Sequence, residues 1–355
     1  MQFTTASKAL VAILYLCCLT PLAHAHSWVE ELDVVAGNGS FIGKPGYIRG
    51  HVSRTDQGFN DDLMTYRLPP TGRAADIGII PSDHMCMPSQ RDRRQAEGWP
   101  RLEAQPGDII ALLYRENGHV TLPDTQPGKP KNRGTVYVYG TNEPRPDDKF
   151  LGIHGVWNKD GTGGDKRGRL ISRQDFDDGR CYQINGDKIS MARQQTYPHV
   201  PDKLMGADVA CQHVLVLPSD FVVPGTPSSM YFVWDWPTAP GVDPNLPRGK
   251  TEIYTSCMDI DIIASRNGTN REPNIHYVDG QPLNRAAFSS LLANLGQPVD
   301  NGPSHVDSVS SEASPSVSDV ASPTAGSIVP MSRRFTASAT WKTITTGKYQ
   351  PTYTP

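Results

Sequence analysis

Met230-Tyr231-Phe232-Val233-Trp234-Asp235-Trp236 is dense in aromatic and β-branched side chains, the composition of a pleated strand buried in a core. Five further runs share its character: Trp28 to Val35, Asp108 to Tyr114, Thr135 to Tyr139, His213 to Leu217 and Glu252 to Ile263. Pro-Gly pairs at 45–46, 106–107, 127–128 and 224–225 mark turns between them. Only Arg285 to Leu295 reads as a helix. Many short strands joined by long loops (roughly 37–84, 140–180 and 237–250) predict an all-β chain, an immunoglobulin-like antiparallel β-sandwich. Loops of that length tend to be functional surfaces.

Outward from this core the chain changes composition at both ends. Residues 1–25 have the anatomy of a secretory signal: Lys8, the apolar run Ala9 to Leu19, and the small-x-small site Ala23-His24-Ala25. The apolar run is shorter than the roughly 20 residues that span a bilayer, and no later stretch is longer, so no membrane span is expected. The expected product is a secreted, extracellular protein whose mature chain starts at His26. Residues 26–295 form the predicted domain. Residues 296–355, rich in Ser, Pro and Thr, cannot bury enough apolar area to order themselves and read as a disordered tail. The formal charge is −3, or −4 once Lys8 is removed, which excludes the basic patch of a nucleic-acid binder and suits a neutral polymer.

Cys86, Cys181, Cys211 and Cys257 remain after cleavage and read as two disulfides, with three connectivities open. None has the spacing of a zinc knuckle. Asn38-Gly-Ser40 and Asn267-Gly-Thr269 are glycosylation sequons that suit the secretory route.

Cleavage after Ala25 would give His26 a free α-amine beside its imidazole, two nitrogens that can chelate one metal ion. The amine has an ordinary pKa near 8, so binding deprotonates it at modest cost. Nitrogen donors in a flat arrangement suit copper. A second imidazole is required, and His119 is best placed, a short turn beyond the run 108–114. His51, His84, His154, His199, His213 and His276 are the competitors. Glu252 and Tyr254 alternate along a strand and so share a face, where a phenol and a carboxylate can form the outer shell of a metal. The plain alternative is a buried tyrosine in a sheet with a glutamate at its edge.

Three segments, in order, resemble the fungal lytic polysaccharide monooxygenases, secreted copper enzymes with a two-histidine brace. They are His26-Ser-Trp-Val29, then Gln105-Pro-Gly-Asp108 leading a strand to Gly118-His119, and Glu252-x-Tyr254-x-x-Cys257. Ser82-Asp-His-Met-Cys86 is similar to that family's Asp-x-x-Cys segment. Glu252 stands where the best-known branch has Gln, no Gly-Pro follows His119, and residues 140–200 have no counterpart. The resemblance implies one copper ion per chain, held by His26 and His119 with Tyr254 axial and Glu252 positioning or protonating an oxygen species. It further implies pairs Cys86–Cys257 and Cys181–Cys211. The implied activity is oxidation of a C–H bond beside a glycosidic link in cellulose, chitin or hemicellulose, with an external electron donor and a monomeric enzyme. Trp28, Tyr47, Phe59 and Trp157 are candidates for sugar stacking or, equally, for the core. Two other readings stay in view: a copper protein that binds without turnover, and a structural cell-wall or surface protein working through its tail.

Overall fold

A computed structural model of the chain describes residues 26–37, 39–74, 76–199, 201 and 206–265. The signal segment 1–25, Asn38, Asn267, His276, the helix expected at Arg285 to Leu295 and the tail 296–355 lie outside the described residues. Among the described residues there are ten strands. They are β1 (Val29–Val35), β2 (Phe41–Gly46), β3 (Arg67–Leu68), β4 (Leu102–Ala104), β5 (Ile109–Tyr114), β6 (Thr135–Thr141), β7 (Gly168–Asp175), β8 (Cys211–Val216), β9 (Ser228–Asp235) and β10 (Ile253–Ile262).

They form two sheets. One has the order β2-β1-β5-β8, and the other β3-β10-β9-β6-β7, with β4 added beside β10. Every pairing is antiparallel except β4–β10. The chain is therefore the β-sandwich that its composition predicts. The inner faces meet in one core: Leu32, Val34, Ile110, Leu112 and Leu215 from the first sheet against Val136, Val138, Phe232, Trp234, Tyr254 and Met258 from the second.

The dense composition of β9 has a specific cause. Met230, Phe232 and Trp234 face the central core, while Tyr231 and Val233 face a second apolar layer with Met85, Phe150, Ile153, Trp157 and Leu170. A strand covered on both faces loses the polar alternation of a half-exposed one. That second layer is built from the segments 37–84 and 140–180, which are not plain loops: they carry β2, β3, β7 and a short helix, α1 (Phe150–Ile153). Cys86–Cys257 lies in this layer and ties the long early segment to β10, and Cys181–Cys211 closes a shorter loop onto β8. Both pairs implied by the resemblance are thus present.

Two expectations need correction. Pro45-Gly46 ends β2 instead of making a turn, because Gly46 packs where a Cβ would stand 2.2 Å from the Leu102 backbone nitrogen. The other three pairs are turns, with Gly107, Gly128 and Gly225 at positive φ. A helix also exists that the sequence did not announce, α2 (Lys188–Thr196). Its apolar residues have no 3.6-residue period. Side-chain bonds hold it instead: Asp187 caps Ile189 N, Ser190 Oγ donates to the Gln183 carbonyl at 2.6 Å, and Arg193 pairs with Asp177.

Candidate metal centre

The site is assembled by the pairing of β1 with β5. Val29 lies opposite Tyr114, so the residues before β1 run beside those after β5. Ser27 Oγ donates to the Arg115 carbonyl at 3.0 Å, and the Asn117 side-chain amide donates to the His26 carbonyl. The chain then turns sharply through Asn117 (φ 47°) and Gly118 (φ 80°), the left-handed conformations that Asn and Gly tolerate. Buried Glu116 pins this turn. Its carboxylate accepts from Val120 N at 2.7 Å, Thr121 Oγ1 at 2.5 Å and Gln183 N at 2.7 Å. His119 is thereby delivered to the same sheet end as His26.

His119 is 5% exposed, and neither ring nitrogen has a hydrogen bond of good geometry, the Gln126 side chain making only a weak one. Its ring lies against Trp236, with centroids 4.5 Å apart, and against Trp234 at 5.3 Å. Burial pushes its pKa down to about 4; Gln126 and Glu252 oppose that shift, while Lys129 and His26 add to it. The imidazole is therefore neutral at pH 7. Buried polar atoms are ordinarily paired, so His119, like His51, offers a neutral ring whose nitrogens are open to a ligand's role. The donor set of His26 and His119 fits copper on that ground.

His26 is partly exposed, and its Nδ1 stands 3.6 Å from Asp61 Oδ2. Beside it opens a pocket of about 190 Å³ lined by His26, Asp62, Thr65, Tyr66, Arg67, Pro70 and Thr71.

Glu252 precedes β10 and Tyr254 lies within it. The Tyr254 hydroxyl donates to Glu252 Oε1 at 2.6 Å, while Lys129 and Lys250 donate to Oε2 at 2.7 and 2.8 Å. Burial alone would raise the carboxyl pKa of Glu252, but the two ammonium groups outweigh it and hold the value at about 2. Tyr254 is fully buried, and both burial and the Glu252 charge keep its phenol protonated. Its ring stacks on Trp234 at 5.1 Å, and Trp234 stacks on Trp236 at 4.9 Å. Tyr254 thus reaches His119 through an indole.

The competing histidines have other partners. His84 Nε2 meets Lys149 Nζ, His154 Nδ1 meets the Tyr139 hydroxyl, His199 Nε2 meets the Gly206 carbonyl, and His213 Nε2 meets Ser172 Oγ. His51 shares the orphaned ring of His119 but packs against Tyr47 and Trp99. Asp178, Cys181 and Cys211 also cluster tightly, but both sulfurs are spent in a disulfide.

Of the four stacking candidates, Trp28 is 1% and Trp157 2% exposed, so neither ring has a face to offer a sugar. For these two the core alternative holds: Trp28 lies under the Arg54 guanidinium at 4.2 Å, and Trp157 joins the second apolar layer. Tyr47 is half-buried with its hydroxyl on Glu31, and Phe59 is half-buried at the edge of the core near Trp28. Glu116, Lys129, Trp236 and Asp61 were not identified from the sequence. They act through contacts between distant segments, and no spacing or motif marks them.

No curated protein matches this chain. Among solved structures, a cellulose-active polysaccharide monooxygenase from M. thermophila is similar over 72% of this chain and 85% of its own, at 17% identity and a TM-score of 0.27. A glycoside hydrolase family 61 member from Hypocrea jecorina is similar over 73% and 87%, at 16% identity and a TM-score of 0.25. Scores that low leave any functional reading to the residues of this chain. A family model does match, over residues 23–289, and on that match the chain belongs to the domain-of-unknown-function family DUF7492.

Proposed function

We propose that the chain, cleaved after Ala25, is a secreted copper protein that oxidises a polysaccharide, with the ion held by the His26 amine, the His26 ring and the His119 ring. The observation that carries this reading is His119: a buried imidazole with no hydrogen bond of good geometry at either ring nitrogen, brought to the sheet end where His26 lies. The ordered motifs that resemble the fungal lytic polysaccharide monooxygenases support it further. Copper held there would supply a one-electron couple able to activate dioxygen or peroxide.

The chain's own groups have definable tasks. Trp234 and Trp236 fix the His119 ring and keep water from its inner side. Glu252, held ionised, keeps the Tyr254 proton on its hydroxyl oxygen and orients the ring. In that state Glu252 is an acceptor of protons and not a donor. In this reading the pocket beside His26, lined in part by Thr65, Tyr66, Arg67 and Thr71, receives the chain of cellulose, chitin or hemicellulose. An external electron donor is required.

One observation favours a second reading, copper binding without turnover. Glu252 is saturated by two lysines and a phenol, and the Trp234 indole lies against both Tyr254 and His119. The test is copper titration of correctly processed protein beside a form with one extra N-terminal residue. Tight binding by the first alone supports the brace, and equal binding by both refutes it. Peroxide production with a reductant then separates an oxidase from a carrier. No specific copper binding by either form leaves a structural surface protein.

A further inference from the structure

The outer face of the first sheet is sealed from water, and we propose that residues 266–295 are its cover, laid across it by the helix expected at Arg285 to Leu295. Cross-strand register defines this face. Asp33, Ala111 and Val214 stand side by side on β1, β5 and β8, and Glu31, Leu113 and Gln212 form the next row. Their neighbours along the strands, Leu32, Leu112 and Leu215, point into the central core, so these two rows point away from it.

Yet Ala111, Val214 and Asp33 are only 0%, 1% and 2% exposed. The apolar cluster on this side consists of Val35, Phe41, Ala111, Leu113, Ala210 and Val214, all on the sheet's own strands or, as Ala210, next to one. Among the described residues no side chain from a second layer joins it. One layer cannot bury itself, since a sheet face open to water stays solvated. Burial is also the largest cause that raises the Asp33 carboxyl pKa well above the usual range, with the Glu31 charge beside it. The face is therefore covered.

Position, length and pattern single out the occupant. β10 ends at Ile262, and Ile263 N donates to the Ala104 carbonyl at 2.9 Å, so the chain leaves beside the Gln105–Asp108 turn that leads into β5. Residues 266–284 can reach about 60 Å when extended, while four strands span only about 14 Å. In the expected helix Phe288, Leu291, Leu292 and Leu295 recur at three- and four-residue spacing and share one side. Arg285 to Leu295 makes about 16 Å of helix, enough to cross the four strands. The family match starts at residue 23 and runs to 289, so it takes in most of this segment. The rival apolar run, Ala9 to Leu19, lies outside that match. On this assignment the folded domain ends with the helix and not with β10.

The test uses the chain from His26 to Pro355. Phe288→p-benzoylphenylalanine places a photoreactive ring on the apolar side of the helix. Irradiation should join it, within one chain, to a peptide containing Ala111–Leu113 or Ala210–Val214, read by mass spectrometry. In a second measurement Ala111→Cys reports on the face through its rate of thiol labelling. Adding Leu291→Asp and Leu292→Asp should raise that rate at least about 10-fold, while Val317→Asp and Val320→Asp in the tail should leave it within roughly twofold. Circular dichroism and intact disulfides check that the sandwich persists; where the aspartates unfold it, the cross-link decides. Cross-links from residue 288 to other surfaces, or a labelling rate that the aspartates leave unchanged, overturn the proposal. Cross-links between chains, with labelling that speeds up on dilution, assign the face to a second copy and overturn it too. Immediate labelling of Ala111→Cys in this chain, against protection in one that keeps residues 1–25, makes the signal segment the cover and likewise overturns it.

Discussion

Arg49 and Asp259 form an ion pair with side chains 1% and 0% exposed, and removing either member should cost unequal amounts. Arg49 donates from Nε to Asp259 Oδ2 at 2.9 Å and from Nη2 to Oδ1 at 2.7 Å. It also donates to Ser229 Oγ at 2.9 Å and to the Gln90 carbonyl at 3.0 Å. Asp259 keeps other partners: Ser229 Oγ donates to it at 2.6 Å, and Arg93 and Arg101 approach to 3.4 and 3.9 Å. Breaking a buried pair costs about 3–5 kcal/mol because a charge is left without its counterion. Arg49→Met leaves Asp259 with two cations nearby, so its cost belongs at the low end, about 3 kcal/mol. Asp259→Asn leaves three arginines around a neutral amide, one of them fully buried, so its cost belongs at the high end, about 5 kcal/mol. Replacing both by apolar residues should cost far less than the sum, since neither charge is then stranded. Urea unfolding of the disulfide-intact chain, with fluorescence and circular dichroism agreeing, measures all three. The reasoning is refuted if Arg49→Met costs as much as Asp259→Asn, or if either costs less than about 1 kcal/mol, within the range of an exposed pair.

Two further outcomes follow from the same structure. Burial depresses the pKa of His213 from 6.5 unfolded to about 3 in the fold, so its contribution to stability is complete above pH 6.5 and lost as pH falls through that window. His213→Gln removes that term, and its unfolding free energy should therefore fall less steeply between pH 6.5 and 4, by about 1.4 kcal/mol per pH unit; parallel curves would show that the imidazole is already charged. Gly46→Ala drives a Cβ into the Leu102 backbone and should cost more than about 2 kcal/mol, whereas Gly37→Ala meets nothing within 4 Å and should stay within about 0.5 kcal/mol, both read from thermal or urea midpoints.

The strands that were legible in the sequence are those buried along their length. β5, β9 and β10 announce themselves because burial on one or both faces demands β-branched and aromatic side chains. β7 did not, because Gly-Arg-Leu-Ile-Ser-Arg-Gln-Asp sits at a sheet edge and is only partly covered. β3 and β4, two and three residues long, are too short for any pattern and exist only because β10 offers them hydrogen-bonding edges. α2 has no amphipathic period, and its bonds to Gln183 and Asp177 are tertiary.

The site divides along the same line. Composition, the mature start expected at His26, the run leading to His119 and the alternation of Glu252 with Tyr254 are local properties, and the sequence by itself determined them. It could not choose among three cysteine pairings or among the seven candidates for the second imidazole, because those choices depend on which segments meet in space. Tertiary structure supplied the pairs Cys86–Cys257 and Cys181–Cys211, and the pairing of Val29 with Tyr114 brings His26 to the turn that carries His119. It also set two indoles against that imidazole, two lysines on Glu252 and Asp61 beside His26. Each of these joins residues far apart in the chain, and the physical reason is the same throughout: burial and charge pairing act on distance in space, which a one-dimensional pattern does not record.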